Sequence, residues 1–150
     1  MHNRLTTGFL RSLPALALAM LAGCGLTGPA TYELDEPDIE VGPGEEFTLS
    51  VPSEATLGER WYVASPKPDP SVVRASGEGH GNSGGEDVGA GGGTQRFDFT
   101  AVKPGSTKIK LIHCPVYSCT TKDGTVSASP SPAGSNHDEP TYHTYTVTVQ

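Results

Sequence analysis

The chain has 150 residues, with 17 acidic side chains against 10 basic ones and a formal charge of −7 at pH 7. That balance argues against nucleic-acid binding, which needs basic neutralisation of phosphates, and against a basic face resting on anionic lipid. The 19 glycines and 13 prolines, with few aromatics, predict short strands, many turns and little helix.

The N-terminal segment reads as a secretory signal. Arg4 and Arg11 give a positive start, and no Asp or Glu precedes Cys24. Leu13 through Ala22 is an apolar run broken only by Pro14, too short for a bilayer span of roughly 20 residues. The closing tetrapeptide Leu21-Ala22-Gly23-Cys24 resembles a bacterial lipobox. The resemblance implies diacylation of the Cys24 thiol, cleavage before it and acylation of the new N-terminus. Each buried acyl CH₂ contributes roughly 0.8 kcal/mol of membrane affinity, so several chains hold a domain on a membrane surface. The expected organisation is a signal peptide over 1–23, a lipidated tether over 24–37 and one domain over 38–150. The expected location is outside the cytoplasm, lipid-anchored to the cell membrane or envelope.

From Asp38 the pattern is strand and turn. Ile39 and Val41 alternate with acids, and Gly42-Pro43-Gly44 is a turn signal. Phe47 to Val51 alternates with period two, as a half-buried strand does. A loop over 52–58 leads to the short aromatic strand Trp61-Tyr62-Val63, with Trp61 expected in the core. Val72-Val73 starts another strand before a glycine-rich loop over 76–93. Gln95 to Val102 alternates again. Lys103-Pro104-Gly105-Ser106 reads as a tight turn to a hairpin partner, Thr107 to Ile112. Residues 120–141, rich in Ser, Thr, Pro and Gly, read as a long exposed loop. In the last strand Tyr145, Val147 and Val149 share one face. The class is all-β, a sandwich or barrel.

Beyond Cys24 only Cys114 and Cys119 remain. In an oxidising compartment this even pair predicts a disulfide, shaping the turn Pro115-Val116-Tyr117-Ser118. The alternative is a zinc site with His113 or His137, but the spacing fits no usual zinc pattern. His137-Asp138-Glu139 and His143 read as solvated loop residues. His113 and Cys114 are adjacent on a strand and point to opposite faces, which is poor geometry for a nucleophile and its base. With no nucleophile-elbow motif either, neither an enzyme nor a cofactor is expected.

Three stretches resemble the chagasin family, reversible inhibitors of papain-like cysteine proteases. The first is Pro52-Ser53-Glu54-Ala55-Thr56-Leu57-Gly58-Glu59-Arg60-Trp61-Tyr62, like the family's Asn-Pro-Thr-Thr-Gly loop with its Pro-Ser and Trp-Tyr flanks. Glu54 and Ala55 replace Asn and Pro, and Leu57 replaces the second Thr. The second is Gly89-Ala90-Gly91-Gly92-Gly93-Thr94, like Gly-X-Gly-Gly before a strand, with one extra glycine. The third is Cys114-Pro115-Val116, which keeps only the proline of Arg-Pro-Trp. The resemblance implies an immunoglobulin-like β-sandwich over roughly 38–150, with the loops forming a wedge for a protease cleft. Thr56 would stand at its apex with Leu57 and Gly58. Gly89, Ala90, Gly91 and Gly92 would allow close backbone approach. Pro115, Val116 and Tyr117 would form the third loop, with the Cys114–Cys119 bridge stiffening it in place of the missing aromatic anchor and Tyr117, from its residue type, as a substitute aromatic contact. The competing expectation is a non-inhibitory protein-binding module of the cell envelope on the same sandwich.

Overall fold

The computed structural model describes residues 28–82, 93–129 and 138–150. Strands run β1 Ala30–Tyr32, β2 Asp38–Val41, β3 Glu46–Ser53, β4 Arg60–Val63 and β5 Val73–Asn82. They continue as β6 Gly93–Ala101, β7 Gly105–Cys114, β8 Cys119–Lys122, β9 Thr125–Ala128 and β10 Thr141–Val149. One 3-10 turn, Ala55–Leu57, interrupts them. Two four-stranded sheets form, β1-β3-β6-β5 and β2-β10-β7-β4, with a separate β8-β9 hairpin. This is the all-β sandwich expected from the alternating segments.

Alternation decides which side chains lie between the sheets. Phe47, Leu49 and Val51 from β3 meet Phe97 and Phe99 from β6 on the inner face of one sheet. Ile109 and Leu111 from β7 and Tyr145, Val147 and Val149 from β10 line the other. Phe47 and Phe99 stack at 5.5 Å, and Tyr32 meets Phe47 edge-on at 6.2 Å. Trp61 is 5% exposed, as its strand position predicts.

Four segments differ from the sequence expectation. Ala30–Tyr32, inside the stretch read as a tether, pairs in parallel with β3, and Tyr32 and Leu34 pack on the core. The turn after β6 joins no hairpin. β6 pairs with β3 and β5, whereas β7 pairs with β10 and β4, so residues 102–104 carry the chain between sheets. The glycine-rich loop is shorter than expected, because β5 runs through Gly77, Gly79 and Gly81 to Asn82 and forms the real hairpin with β6. The stretch 120–141 begins with strand pairing, Cys119–Lys122 against Thr125–Ala128. That hairpin lies beside a second small core of Ala64, Ile112 and Cys114, where Tyr62, Cys119 and Val126 pack.

Candidate functional site

Strand register gathers the strand ends that flank the three loops. Ser53 at the end of β3 faces Gly93 at the start of β6, and Gly93 faces Asn82 at the end of β5. Arg60 at the start of β4 faces Cys114 at the end of β7. The strand ends that flank residues 54–59, 83–92 and 115–118 therefore lie at the same end of the sandwich. Gly93 sits where three backbones converge: a Cβ there would lie 3.2 Å from both the Gly81 and Ser53 carbonyl oxygens. That is tighter than most Cβ contacts, so a side chain there would have to push two backbone carbonyls aside.

The first loop is a tight turn. The Leu57 N–H donates to the Glu54 carbonyl at 2.8 Å and the Gly58 N–H to the Ala55 carbonyl at 3.1 Å. Gly58 ends the turn at φ 81°, a left-handed conformation that glycine adopts without strain. A Cβ at Gly58 would also lie 3.1 Å from Val116 Cγ2. The backbone of the first loop is thus seated on the third, and Thr56 lies within the turn. Leu57 is 60% exposed.

The third loop is clamped at its base. Cys114 and Cys119 form the expected disulfide, with Cα atoms 5.7 Å apart. The zinc alternative falls with it, and no cluster of three or more His, Cys, Asp or Glu among the described residues is placed to hold a metal. Inside the clamp the Ser118 N–H donates to the Pro115 carbonyl at 3.1 Å and Ser118 Oγ to the same oxygen at 2.6 Å. Pro115 is buried and Val116 half-buried. Tyr117 stands out 90% exposed at φ 60°, a backbone region that bulky residues rarely adopt. Gly89, Ala90, Gly91, Gly92 and the acylation candidate Cys24 lie outside the described residues.

Behind the loops sits a residue that the sequence reading passed over. Gln95 of β6 is fully buried. Its Oε1 accepts the Trp61 N–H at 2.8 Å, and its Nε2 donates to the Trp61 carbonyl at 2.8 Å and to Glu78 Oε1 at 2.8 Å. The signal was available: Gln95 shares the inward phase of Phe97 and Phe99, where a polar residue needs partners. His113 stacks on the Trp61 ring at 4.7 Å, and its Nε2 lies 3.6 Å from Glu59 Oε2.

Comparison with known proteins agrees with this architecture. No curated protein matches the chain. Among solved structures, a cysteine protease inhibitor from Entamoeba histolytica superposes with a TM-score of 0.57 at 12% identity, over 82% of this chain and 96% of that one. Amebosin superposes with a TM-score of 0.54 at 17% identity, over 83% and 100%. At these identities the likeness is one of fold. Residues 40–127 match the family model described as chagasin family peptidase inhibitor I42. That match spans more than half of the sequence, and the chain belongs to the chagasin family, whose members inhibit peptidases and are not themselves enzymes.

Proposed function

We propose that this protein is a reversible inhibitor of papain-like cysteine proteases, acting by insertion of its three loops into the active-site cleft. The observation that carries the reading is the seating of the first loop on the third at Gly58 and Val116, in a chain of the inhibitor family. The superposing inhibitor from Entamoeba histolytica, described as acting on cysteine proteases, supports the same target class. Thr56 leads the wedge, and the exposed Leu57 and Tyr117 offer apolar surface. The clamp at Cys114 and Cys119 holds the third loop in one shape, and preorganisation of this kind lowers the ordering cost of binding. No bond of the inhibitor is offered for cleavage.

The lipobox-like sequence supports an anchor on Cys24 that holds the inhibitor at the membrane or envelope surface. Cys24→Ala should move the protein from the membrane fraction to the soluble one.

Titration of papain with the purified protein tests the inhibitory reading. Inhibition at about nanomolar to low micromolar concentration, abolished by Thr56→Arg, supports the wedge. Folded protein that leaves papain and a cathepsin-type protease active at high micromolar concentration overturns it. The second reading, a non-inhibitory binding module of the envelope, is favoured by the absence of Arg and Trp from the third loop and would then lead.

A further inference from the structure

Trp61 is the chain's single tryptophan, and its polar atoms are held from two strands of the facing sheet. Gln95 of β6 holds both its N–H and its carbonyl, each at 2.8 Å. The indole Nε1 donates to the Pro52 carbonyl of β3 at 2.8 Å. The ring lies on His113 of β7, which in turn faces Glu59. Each contact falls beside one of the loops. Pro52 comes just before the first loop and Glu59 closes it. Gln95 follows the second by three residues, and His113 directly precedes the clamp of the third.

We propose that Gln95 is a positioning residue for the binding end, gripping Trp61 so that the first and third loops hold one mutual alignment. The proposal rests on the inhibitor reading for its functional meaning. Its structural logic is that of an edge. β4 and β5 are the outer strands of their two sheets, and Gln95 spans the gap between them. β4 pairs only with β7, so the Trp61 main chain needs a partner on its other side. A primary amide is the one side-chain group that offers an acceptor and two donors in a single plane. Here the Oε1 meets the N–H, while the Nε2 divides between the Trp61 carbonyl and Glu78. A carboxylate has no donor for that carbonyl, and an apolar residue serves neither group. Through Trp61 the grip passes to Pro52 and His113, and so to the strands that carry the first and third loops.

The test combines a protease-free readout with affinity. The Leu57 and Gly58 amides are bonded inside the first loop, and the Ser118 amide inside the third. None touches Gln95 directly. In Gln95→Met, similar in length but without donors, hydrogen-exchange protection at Leu57 and Gly58 should fall by about tenfold, with a smaller loss at Ser118. The emission of Trp61 should shift, and papain affinity should fall by about tenfold. Glu78→Gln keeps an acceptor oxygen for Gln95 Nε2 and should leave all of these unchanged. Gln95→Glu keeps the acceptor for the Trp61 N–H and loses the donor to its carbonyl. It should give the same losses, and it decides the matter should Gln95→Met not fold. A role in stability alone would lower the melting temperature and leave the folded protein with wild-type protection at Leu57, Gly58 and Ser118, overturning the proposal. Wild-type protein that fails to bind papain removes the inhibitor reading instead, and the amide protection still decides the positioning role.

Discussion

The two cores of this molecule lie on opposite faces of the same sheet, and they are held by different means. On the inner face of β2-β10-β7-β4, Ile39, Ile109, Leu111, Tyr145 and Val147 are closed off by the whole of the other sheet. The inner core runs the length of the strands, whereas the outer one comprises Ala64, Ile112 and Cys114. Along β10 the rest of that outer face carries Thr144, Thr146 and Thr148 and the half-exposed Tyr142, whose ring lies under the Lys110 ammonium. A β8-β9 hairpin with so little apolar surface beneath it is marginal by itself. The Cys114–Cys119 disulfide at its entrance supplies by covalent constraint what area does not. The lesson is that the end carrying the first and third loops draws its rigidity from two sources, packing behind the first loop and a covalent clamp behind the third.

The largest expected effect falls on the inner core. Phe99→Ala removes a ring stacked on Phe47 and should cost about 3–5 kcal/mol, read as one cooperative shift in a denaturant titration. If the β8-β9 hairpin unfolds in a separate step, the two cores are less coupled than their shared strands imply.

Tyr145 gives the next effect and belongs to the inner core alone. Burial, reinforced by the nearby Asp35, Glu33 and Glu36 carboxylates, pushes its hydroxyl from 10.0 up to about 12. The hydroxyl has no hydrogen-bond partner within the described residues. The native state therefore keeps its proton at pH values where the unfolded chain has released it. This contribution is complete below about pH 10 and is lost as pH rises toward 12, totalling about 2–3 kcal/mol. Tyr145→Phe should remove that alkaline slope from urea-unfolding free energies measured across the interval. A slope that persists in the variant would place the alkaline weakness elsewhere.

The outer core should respond to its clamp. Replacing both Cys114 and Cys119 by Ser should cost about 2 kcal/mol, with amide protection lost first in residues 115–128 and retained in β3, β6 and β10. Uniform loss across all strands would show that the clamp serves the whole sandwich. The smallest effect on stability belongs to the exposed tip. Tyr117→Ala should change it by no more than about 0.5 kcal/mol, while weakening protease binding in a direct titration. Unchanged affinity would leave the third loop without its aromatic contact.

Much of this architecture was legible in the sequence. Period-two alternation assigned the inward faces of β3, β6 and β10 because a strand points successive side chains to opposite sides. Trp61 in a short aromatic strand and the even pair Cys114 and Cys119 led to the core tryptophan and the disulfide. Gly77, Gly79 and Gly81 were misleading, since glycine runs read as loops. In β5 they oppose Asp98, Arg96 and Thr94, whose side chains lie over the bare backbone.

By itself the sequence determined the all-β class, the inward faces of β3, β6 and β10, and the family to which the chain belongs. Those follow from side-chain chemistry and from short motifs read along the chain. Only the tertiary structure decided which strands are neighbours. Alternation is the same whether β7 pairs with β6 or with β10 and β4, so the turn at Lys103-Pro104 reads as a hairpin until the sheets are seen. The same holds at the binding end. That Gly58 meets Val116, and that Gln95 holds Trp61 from 34 positions away, are consequences of register between sheets, which no local pattern encodes.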